Sequence, residues 1–224
     1  MPASFPQPPQ AAIIDLDGTL VDTLGDFTAA LNAMLRALHL GELPAGVVSG
    51  FIGKGSEHLI RQALAHVGAP RDLYHRAWDL YQGAYRGLNG RWAQVYPGVP
   101  EGIAQLRSAG VRLACVTNKP GEFARELLAA KGLARDFELV FGGDAFERKK
   151  PDPLPLLKTC EALGTPPAAT WMIGDSGNDA AAARAAGCPV LLVTYGYNHG
   201  EPVREVDADA FLDSLGELGP LLAR

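Results

Sequence analysis

The stretch Ala11-Ala12-Ile13-Ile14-Asp15-Leu16-Asp17-Gly18-Thr19 decides the fold prediction, because an apolar run passes directly into two carboxylates. The four apolar residues predict a short buried strand, and an Asp-Gly pair is typical of the turn after one. In an open α/β sheet, ligands bind outside the carboxyl ends of the strands. Asp15 and Asp17 are therefore predicted to lie at a ligand site.

Three more apolar segments run into polar clusters further along the chain. These clusters are Thr117-Asn118-Lys119, Lys149-Lys150-Pro151-Asp152-Pro153 and Gly174-Asp175-Ser176-Gly177-Asn178-Asp179. The predicted strands, which alternate with helical segments, are residues 11–15, 111–116, 137–141, 170–173 and 189–193. This alternation predicts a parallel sheet covered by helices on both faces, which is a doubly wound, Rossmann-like α/β fold.

The segment between the first strand and Tyr96 contains no convincing strand, but its apolar residues recur at helical spacing. It is predicted to be a helical insertion. The predicted division is a core of residues 11–22 and 96–224 and an α-helical cap of residues 23–95, hinged at 22–26 and 90–98.

Composition limits the classes of function. The net charge of −5 and the scattered basic residues give no field that would attract nucleic acid. Residues 1–10 contain four prolines and no signal-peptide pattern, so they are predicted to be a disordered leader. No apolar run approaches the roughly 18 residues of a membrane span. Three cysteines without C-x-x-C spacing favour a reduced, cytoplasmic location.

The four polar clusters resemble the four motifs of the haloacid dehalogenase-like phosphatase superfamily: D-x-D-G-T, a strand-end Thr, a Lys and G-D-x-x-x-D. Further segments narrow the resemblance to the phosphoglycolate phosphatases, over roughly residues 11 to 224. These segments are Val116-Thr117-Asn118-Lys119-Pro120, Gly142-Gly143-Asp144, Lys150-Pro151-Asp152-Pro153, Ala185-Ala186-Gly187-Cys188-Pro189 and Thr194-Tyr195-Gly196-Tyr197-Asn198. The resemblance implies the strand order 3-2-1-4-5 and a mobile cap.

It also implies an enzyme of carbohydrate metabolism that hydrolyses 2-phosphoglycolate to glycolate and phosphate, with Mg²⁺ and an aspartyl-phosphate intermediate. The expected partner is this small phosphate ester alone, with no nucleic acid and no membrane, and the enzyme is expected to be a monomer or homodimer. Two alternatives stay open. One is a capped phosphatase for a nucleotide, a sugar phosphate or pyrophosphate, and the other is a non-catalytic binding protein on the same fold.

Asp15 is the predicted nucleophile, because a carboxylate can attack phosphorus and divide ester hydrolysis into two displacements. Asp17 is the predicted general acid and base. Asp15, Asp175 and, by the resemblance, the backbone carbonyl of Asp17 are the predicted Mg²⁺ ligands, since Mg²⁺ prefers oxygen donors. Asp179 is expected either behind these ligands or in a helix cap, because Ser176 and Asp179 have S-x-x-D spacing.

Thr117 and the backbone N–H of Asn118 are expected to hold a phosphate oxygen at the start of the next helix. Lys150 is expected to neutralise the developing phosphoryl charge. Lys119 is more typical of a solvated side chain, although it could touch substrate. In the cap, Lys54 lies in a G-x-G pattern and is a candidate substrate contact. His58 and Arg61 are candidates of the same kind, and a plain interhelical turn is at least an equal alternative for this loop.

Overall fold

The computed structural model describes residues 8–223, so most of the predicted leader lies outside the described residues. The strands in this range are β1 Ala11–Ile14, β2 Val21–Asp22, β3 Gln94–Val95, β4 Arg112–Val116, β5 Leu139–Phe141, β6 Thr170–Gly174, β7 Val190–Val193 and β8 Ala210–Leu212. The α-helices are α1 Leu24–Ala37, α2 Ala45–Val48, α3 Ser56–His66, α4 Tyr74–Leu88, α5 Val99–Ser108, α6 Gly121–Ala130, α7 Leu154–Leu163, α8 Gly177–Ala186 and α9 Gly219–Leu222. Short 3-10 turns join several of them.

Six strands form one parallel sheet in the order β5-β4-β1-β6-β7-β8. The predicted doubly wound fold and the implied strand order are confirmed, with strand ends that differ by one or two residues. The additional edge strand β8 was not predicted. It has three residues, which is too short to give a periodic signal.

The central strand β1 is completely buried because both of its faces are covered. Ala12 and Ile14 pack into one core cluster with α5 and α6, while Ile13 packs into another with α7 and α8. A strand covered on both faces has no polar alternation, which explains the uniformly apolar sequence before Asp15.

Helices α1 to α4 pack around their own apolar cluster. Phe27 stacks on Tyr85 at 5.4 Å between ring centroids, and Tyr85 stacks on Tyr81 at 5.5 Å. The same cluster includes Phe123 from α6 and Tyr197 from the loop after β7. We call residues 23–95 the cap. The boundaries of the cap remain a prediction. Its helices lie where the apolar residues recur at helical spacing in the sequence.

The two chain segments that join the cap to the sheet are held side by side. β2 and β3 form a short antiparallel pair, in which Val21 lies opposite Val95. The carboxylate of Asp26, which is completely buried, accepts hydrogen bonds from the backbone N–H groups of Gly90 at 2.6 Å and Trp92 at 2.7 Å. This carboxylate therefore bridges the entry and exit of the cap.

No helix in residues 8–223 has the combination of length and hydropathy that a membrane-crossing helix requires.

Candidate active site

Three of the predicted site residues directly follow three adjacent strands. Because β1 lies between β4 and β6 in a parallel sheet, the carboxyl ends of these strands meet at one edge. Asp15 follows β1, Thr117 follows β4 and Asp175 follows β6, and all three side chains are buried. The sheet thus brings motifs that are far apart in sequence into one cluster.

Asp15 presents one engaged and one free carboxylate oxygen. Oδ1 accepts hydrogen bonds from the N–H of Leu16 at 2.7 Å and pairs with Lys150 Nζ at 3.0 Å. Oδ2 accepts no hydrogen bond from the described residues. Burial raises the pKa of Asp15 to about 7, against the opposing charge of Lys150 and with smaller contributions from Asp179 and Asp17. The free oxygen is therefore available as a nucleophile once the carboxyl group is ionised.

Lys150 is enclosed by oxygen atoms. Its Nζ donates to Asp179 Oδ1 at 2.7 Å and to the carbonyl oxygen of Val116 at 2.8 Å, in addition to its contact with Asp15. Burial opposes the charged form, but the charges of Asp15 and Asp179 more than offset it and raise the pKa of Lys150. Lys150 is therefore a fixed positive charge beside Asp15.

Asp179 performs the capping role that its spacing from Ser176 indicates. Its Oδ2 accepts from the N–H of Ser176 at 3.2 Å and the N–H of Asp175 at 3.3 Å, and a capping box forms at the start of α8. Its Oδ1 holds Lys150. Asp179 thus connects the helix terminus to the ammonium group beside Asp15.

Asp175 is held by hydrogen bonds from two loops. Its Oδ1 accepts from Thr19 Oγ1 at 3.0 Å and its Oδ2 from the N–H of Tyr197 at 2.5 Å. Gly18 has φ of +88°, and a Cβ at this position would lie 2.2 Å from Asp175 Oδ2. Only glycine fits both this conformation and this approach. The glycine of D-x-D-G-T is therefore required by the neighbouring carboxylate.

Three carboxylates are placed to share a cation. Asp15, Asp175 and Asp179 each offer an oxygen, and these oxygens lie within 4.8 Å of one another. Burial, then the charges of Asp179 and Asp15, raise the pKa of Asp175 well above its usual range. A bound cation would relieve this crowding, and buried carboxylate oxygens are the donors that a hard divalent ion prefers. The residues present fit such an ion.

Asp17 has a buried partner that the sequence analysis missed. Lys119 Nζ donates to Asp17 Oδ1 at 2.8 Å and lies over the rings of Phe27 at 4.3 Å and Tyr85 at 5.0 Å. The Lys119 side chain is 1% exposed, so the prediction of a solvated side chain is wrong. Both rings belong to the cap, and no local pattern around Lys119 could have indicated them.

Thr117 and Asn118 occupy the loop between β4 and α6. Thr117 Oγ1 accepts from the N–H of Lys119 at 3.2 Å. The side-chain amide of Asn118 donates to the carbonyl oxygens of Gly53 and Lys150, both at 2.9 Å. The backbone N–H of Asn118 has no partner among the described residues. It is thus free to bind an anion beside the start of α6.

The cap loop carrying the G-x-G pattern contacts the sheet domain directly. The Gly53 carbonyl oxygen accepts from Asn118 and, at 3.3 Å, from the side-chain amide of Asn178. The result is a pocket with one wall from each part of the protein. The sheet-side wall is Asp15, Asp17, Thr117, Asn118 and Lys119, and the cap-side wall includes Phe27, Phe51, Ile52, Gly53, Gly55, Ser56, Leu59 and Tyr85.

The three candidate cationic residues of the cap are not among the pocket-lining residues. Arg61 forms an exposed pair with Glu57 at 3.0 Å and lies over the Tyr74 ring. The pKa of His58 is lowered by burial and by the nearby charge of Lys54. Their roles as substrate contacts stay predictions.

Comparison with known proteins agrees with this geometry. Residues 12–193 match the family model described as haloacid dehalogenase-like hydrolase. The chain belongs to the haloacid dehalogenase-like hydrolase family. The resemblance predicted from the four motifs is therefore confirmed, and with it the prediction that the chain is an enzyme.

Individual relatives match almost the whole chain. A phosphoglycolate phosphatase of Nitrosospira multiformis is 46% identical over 223 residues, covering 98% of each chain. A plasmid phosphoglycolate phosphatase of Cupriavidus necator is 46% identical over 221 residues, covering 98% of this chain and 96% of the relative. The crystal structure of a predicted phosphoglycolate phosphatase from Haemophilus somnus superposes with a TM-score of 0.91 at 30% identity, covering 95% and 97% of the two chains.

Proposed function

We propose that this hydrolase is a Mg²⁺-dependent phosphomonoesterase that converts 2-phosphoglycolate and water to glycolate and phosphate. The observation that carries the proposal is the free Oδ2 of Asp15, which lies beside the fixed charge of Lys150 in a pocket bounded by the cap. The near-full-length similarity to phosphoglycolate phosphatases supports the choice of substrate.

In the first step, Asp15 Oδ2 attacks phosphorus, the bond between phosphorus and the ester oxygen breaks, and Asp17 gives a proton to the leaving alkoxide. In the second step, a water molecule gives a proton to Asp17 and attacks the phosphorus of the aspartyl-phosphate. Phosphate is released and both carboxyl groups return to their starting states. Lys119 donates to Asp17 Oδ1 at 2.8 Å and thereby positions the Asp17 carboxyl group at the pocket.

Thr117, the backbone N–H of Asn118 and Lys150 are proposed to bind the phosphoryl oxygens. The N–H of Asn118 is free, and Lys150 is held by Asp179 at 2.7 Å in the position where negative charge develops. Preorganised donors of this kind stabilise the transition state without reorganising during the reaction.

Asp15, Asp175 and the backbone carbonyl of Asp17 would hold Mg²⁺. Asp179 is better suited to a supporting role, because its Oδ1 pairs with the Lys150 ammonium group at 2.7 Å and its Oδ2 takes part in the capping box of α8. The ion would offset the repulsion between an anionic nucleophile and an anionic ester. Action in the cytoplasm on this small ester, as a monomer or homodimer, belongs to the same proposal.

A panel of phosphate esters tests the proposal. Phosphate release is measured from 2-phosphoglycolate, nucleoside monophosphates, hexose phosphates and pyrophosphate, with Mg²⁺ or EDTA. Wild type is compared with Asp15→Asn and with the control Asp79→Asn, whose carboxylate is exposed on α4. We expect a preference for 2-phosphoglycolate of at least about tenfold in kcat/KM, which is about 1.4 kcal/mol of transition-state binding.

EDTA and Asp15→Asn should each abolish turnover, whereas Asp79→Asn should retain it. A different preferred ester with the same losses would keep the mechanism and replace the substrate. Turnover that survives Asp15→Asn would disprove the mechanism.

A further inference from the structure

Two lysine ammonium groups lie buried beside the Asp15 cluster, and they differ in how many of their donors are used. An ammonium group has three N–H donors. Lys150 contacts three oxygens, those of Asp15, Asp179 and Val116. Lys119 contacts one oxygen among the described residues, Asp17 Oδ1. Lys119 therefore retains donor capacity that Lys150 has already used.

The Lys119 ammonium group is paired with Asp17 and lies against two aromatic rings. The faces of Phe27 and Tyr85 lie 4.3 and 5.0 Å from Nζ, and aromatic faces attract a cation through their quadrupole. Asp17 uses one of the three donors of this ammonium group, so unused donors remain in the wall of the pocket. An anionic group of the substrate would accept from them.

The position of Lys119 matches a small ester with a second anion. Lys119 lines the same pocket as Thr117 and Asn118, and its ammonium group lies against rings of the cap. On the opposite wall, Gly55 and Ser56 begin the 11-residue helix α3, which has no side-chain cap. Its N-terminal dipole adds to the positive potential between the walls.

We propose that Lys119 is the specificity-determining residue that binds a carboxylate attached one methylene from the ester oxygen. This inference rests on the proposed function and deepens it. It assigns the carboxylate to a buried lysine of the sheet domain and not to Lys54, which does not line the pocket. Lys119 touches substrate directly, in addition to its contact with Asp17.

The test compares two esters that differ only in this group. In ethyl phosphate, a methyl group replaces the carboxylate of 2-phosphoglycolate. The ratio of kcat/KM for 2-phosphoglycolate to kcat/KM for ethyl phosphate is measured for wild type, Lys119→Met, Lys119→Gln and Lys54→Met, which removes the competing candidate for the carboxylate contact. Within one preparation this ratio does not depend on the fraction of folded enzyme, so partial misfolding cannot imitate the effect.

We expect both Lys119 variants to lower the ratio at least about tenfold, since a charge-assisted hydrogen bond to the carboxylate is lost. Lys54→Met should change it less than about twofold, because Lys54 does not line the pocket. The dissociation constant of 2-phosphoglycolate divided by that of ethyl phosphate, measured by calorimetry in an Asp15→Asn background, should rise in parallel. That background gives a readout even if a Lys119 variant has no turnover.

A pure positioning role for Lys119 would reduce turnover of both esters by the same factor and leave both ratios unchanged, which would overturn the inference. A collapse of the ratio in Lys54→Met alone would overturn it as well. A wild-type enzyme that turns over other esters without preferring 2-phosphoglycolate would overturn the proposed substrate and this inference together. The wild-type measurement thus separates failure of the function from failure of the Lys119 assignment.

Discussion

At the scale of single residues, the carboxylates clustered in the site outnumber the ammonium groups that contact them. One buried cluster contains Asp15, Asp175 and Asp179. The Lys150 ammonium group contacts Asp15 and Asp179. Burial raises the pKa of Asp15 to about 7, so this carboxyl group is partly protonated at neutral pH without a bound cation. Ionising this carboxyl group in the folded protein therefore lowers the free energy of unfolding.

This crowding predicts a pH dependence of stability that Asp15 controls. The pKa of Asp15 is raised on folding from 3.8 to about 7, so its stabilising contribution is complete below the lower value and is lost as pH rises through the upper one. Between pH 6.5 and 8.5, in EDTA, wild type should lose about 1 kcal/mol more of its free energy of unfolding than Asp15→Asn.

Urea unfolding at the two pH values measures this difference. Comparing the two proteins removes contributions from titrating groups that they share. Saturating Mg²⁺ should remove the difference, because a cation that binds Asp15 keeps it ionised in the folded state. Equal pH slopes for wild type and Asp15→Asn in EDTA would show that burial does not control this carboxyl group.

At the scale of elements, the most consequential contact is the bridge between the two segments that enter and leave the cap. The Asp26 carboxylate accepts from Gly90 and Trp92, and the main chain there has no other partner for these N–H groups among the described residues. Tyr197 ties the entry segment to the loop after β7, since its hydroxyl accepts from the N–H groups of Thr23 and Leu24 and donates to Asp22.

Asp26→Asn should destabilise the protein through one unpaired donor. The Asn side chain has one oxygen acceptor in place of two. Its NH₂ group therefore faces the N–H of either Gly90 or Trp92, and that N–H loses its acceptor. An unsatisfied buried donor costs about 1–3 kcal/mol, and we expect a loss of about 2 kcal/mol in the free energy of unfolding. Urea unfolding measures the loss, and hydrogen exchange at Gly90 and Trp92 should accelerate.

The exposed Asp79→Asn on α4 is the matched control and should stay within about 0.5 kcal/mol of wild type. An Asp26→Asn variant as stable as this control would mean that water or backbone adjustment replaces the lost acceptor.

Some features of these elements could be predicted from the sequence and others could not. The strand ends that carry Asp15, Thr117 and Asp175 were predicted because a polar residue directly after an apolar run is a local signal. The environment of Lys119 was not predicted, since it depends on Phe27 and Tyr85, whose α1 and α4 positions are set by helix packing distant in sequence. The bridge from Asp26 to Gly90 and Trp92 was missed for the same reason.

At the scale of the whole molecule, the cap and the sheet domain share part of one apolar cluster. Phe123 of α6 is 2% exposed and packs edge-on against Tyr85 of α4, with 4.9 Å between ring centroids. Asn89, just beyond α4, donates to the Phe123 carbonyl oxygen at 3.0 Å. The aromatic stack that holds Lys119 is thereby continuous with the sheet domain.

This continuity predicts that the cap and the sheet domain unfold together and that Phe123→Ala uncouples them. Removing a buried Phe ring typically costs about 3–5 kcal/mol, and here the cavity opens at the junction between the two parts. In wild type, the slowest-exchanging amides of α4 and β6 should report similar opening free energies in hydrogen exchange. In Phe123→Ala, the value for α4 should fall by at least about 2 kcal/mol more than the value for β6.

The surface variant Leu157→Ala is the control for side-chain truncation on the sheet domain, since Leu157 is 41% exposed, and it should alter neither value by more than about 0.5 kcal/mol. Because Tyr85 supports Lys119, Phe123→Ala should also raise KM for 2-phosphoglycolate more than it lowers kcat. Equal loss of protection in α4 and β6 would mean that the Phe123 ring stabilises a single cooperative unit, and that the cap has no opening of its own for the substrate to use.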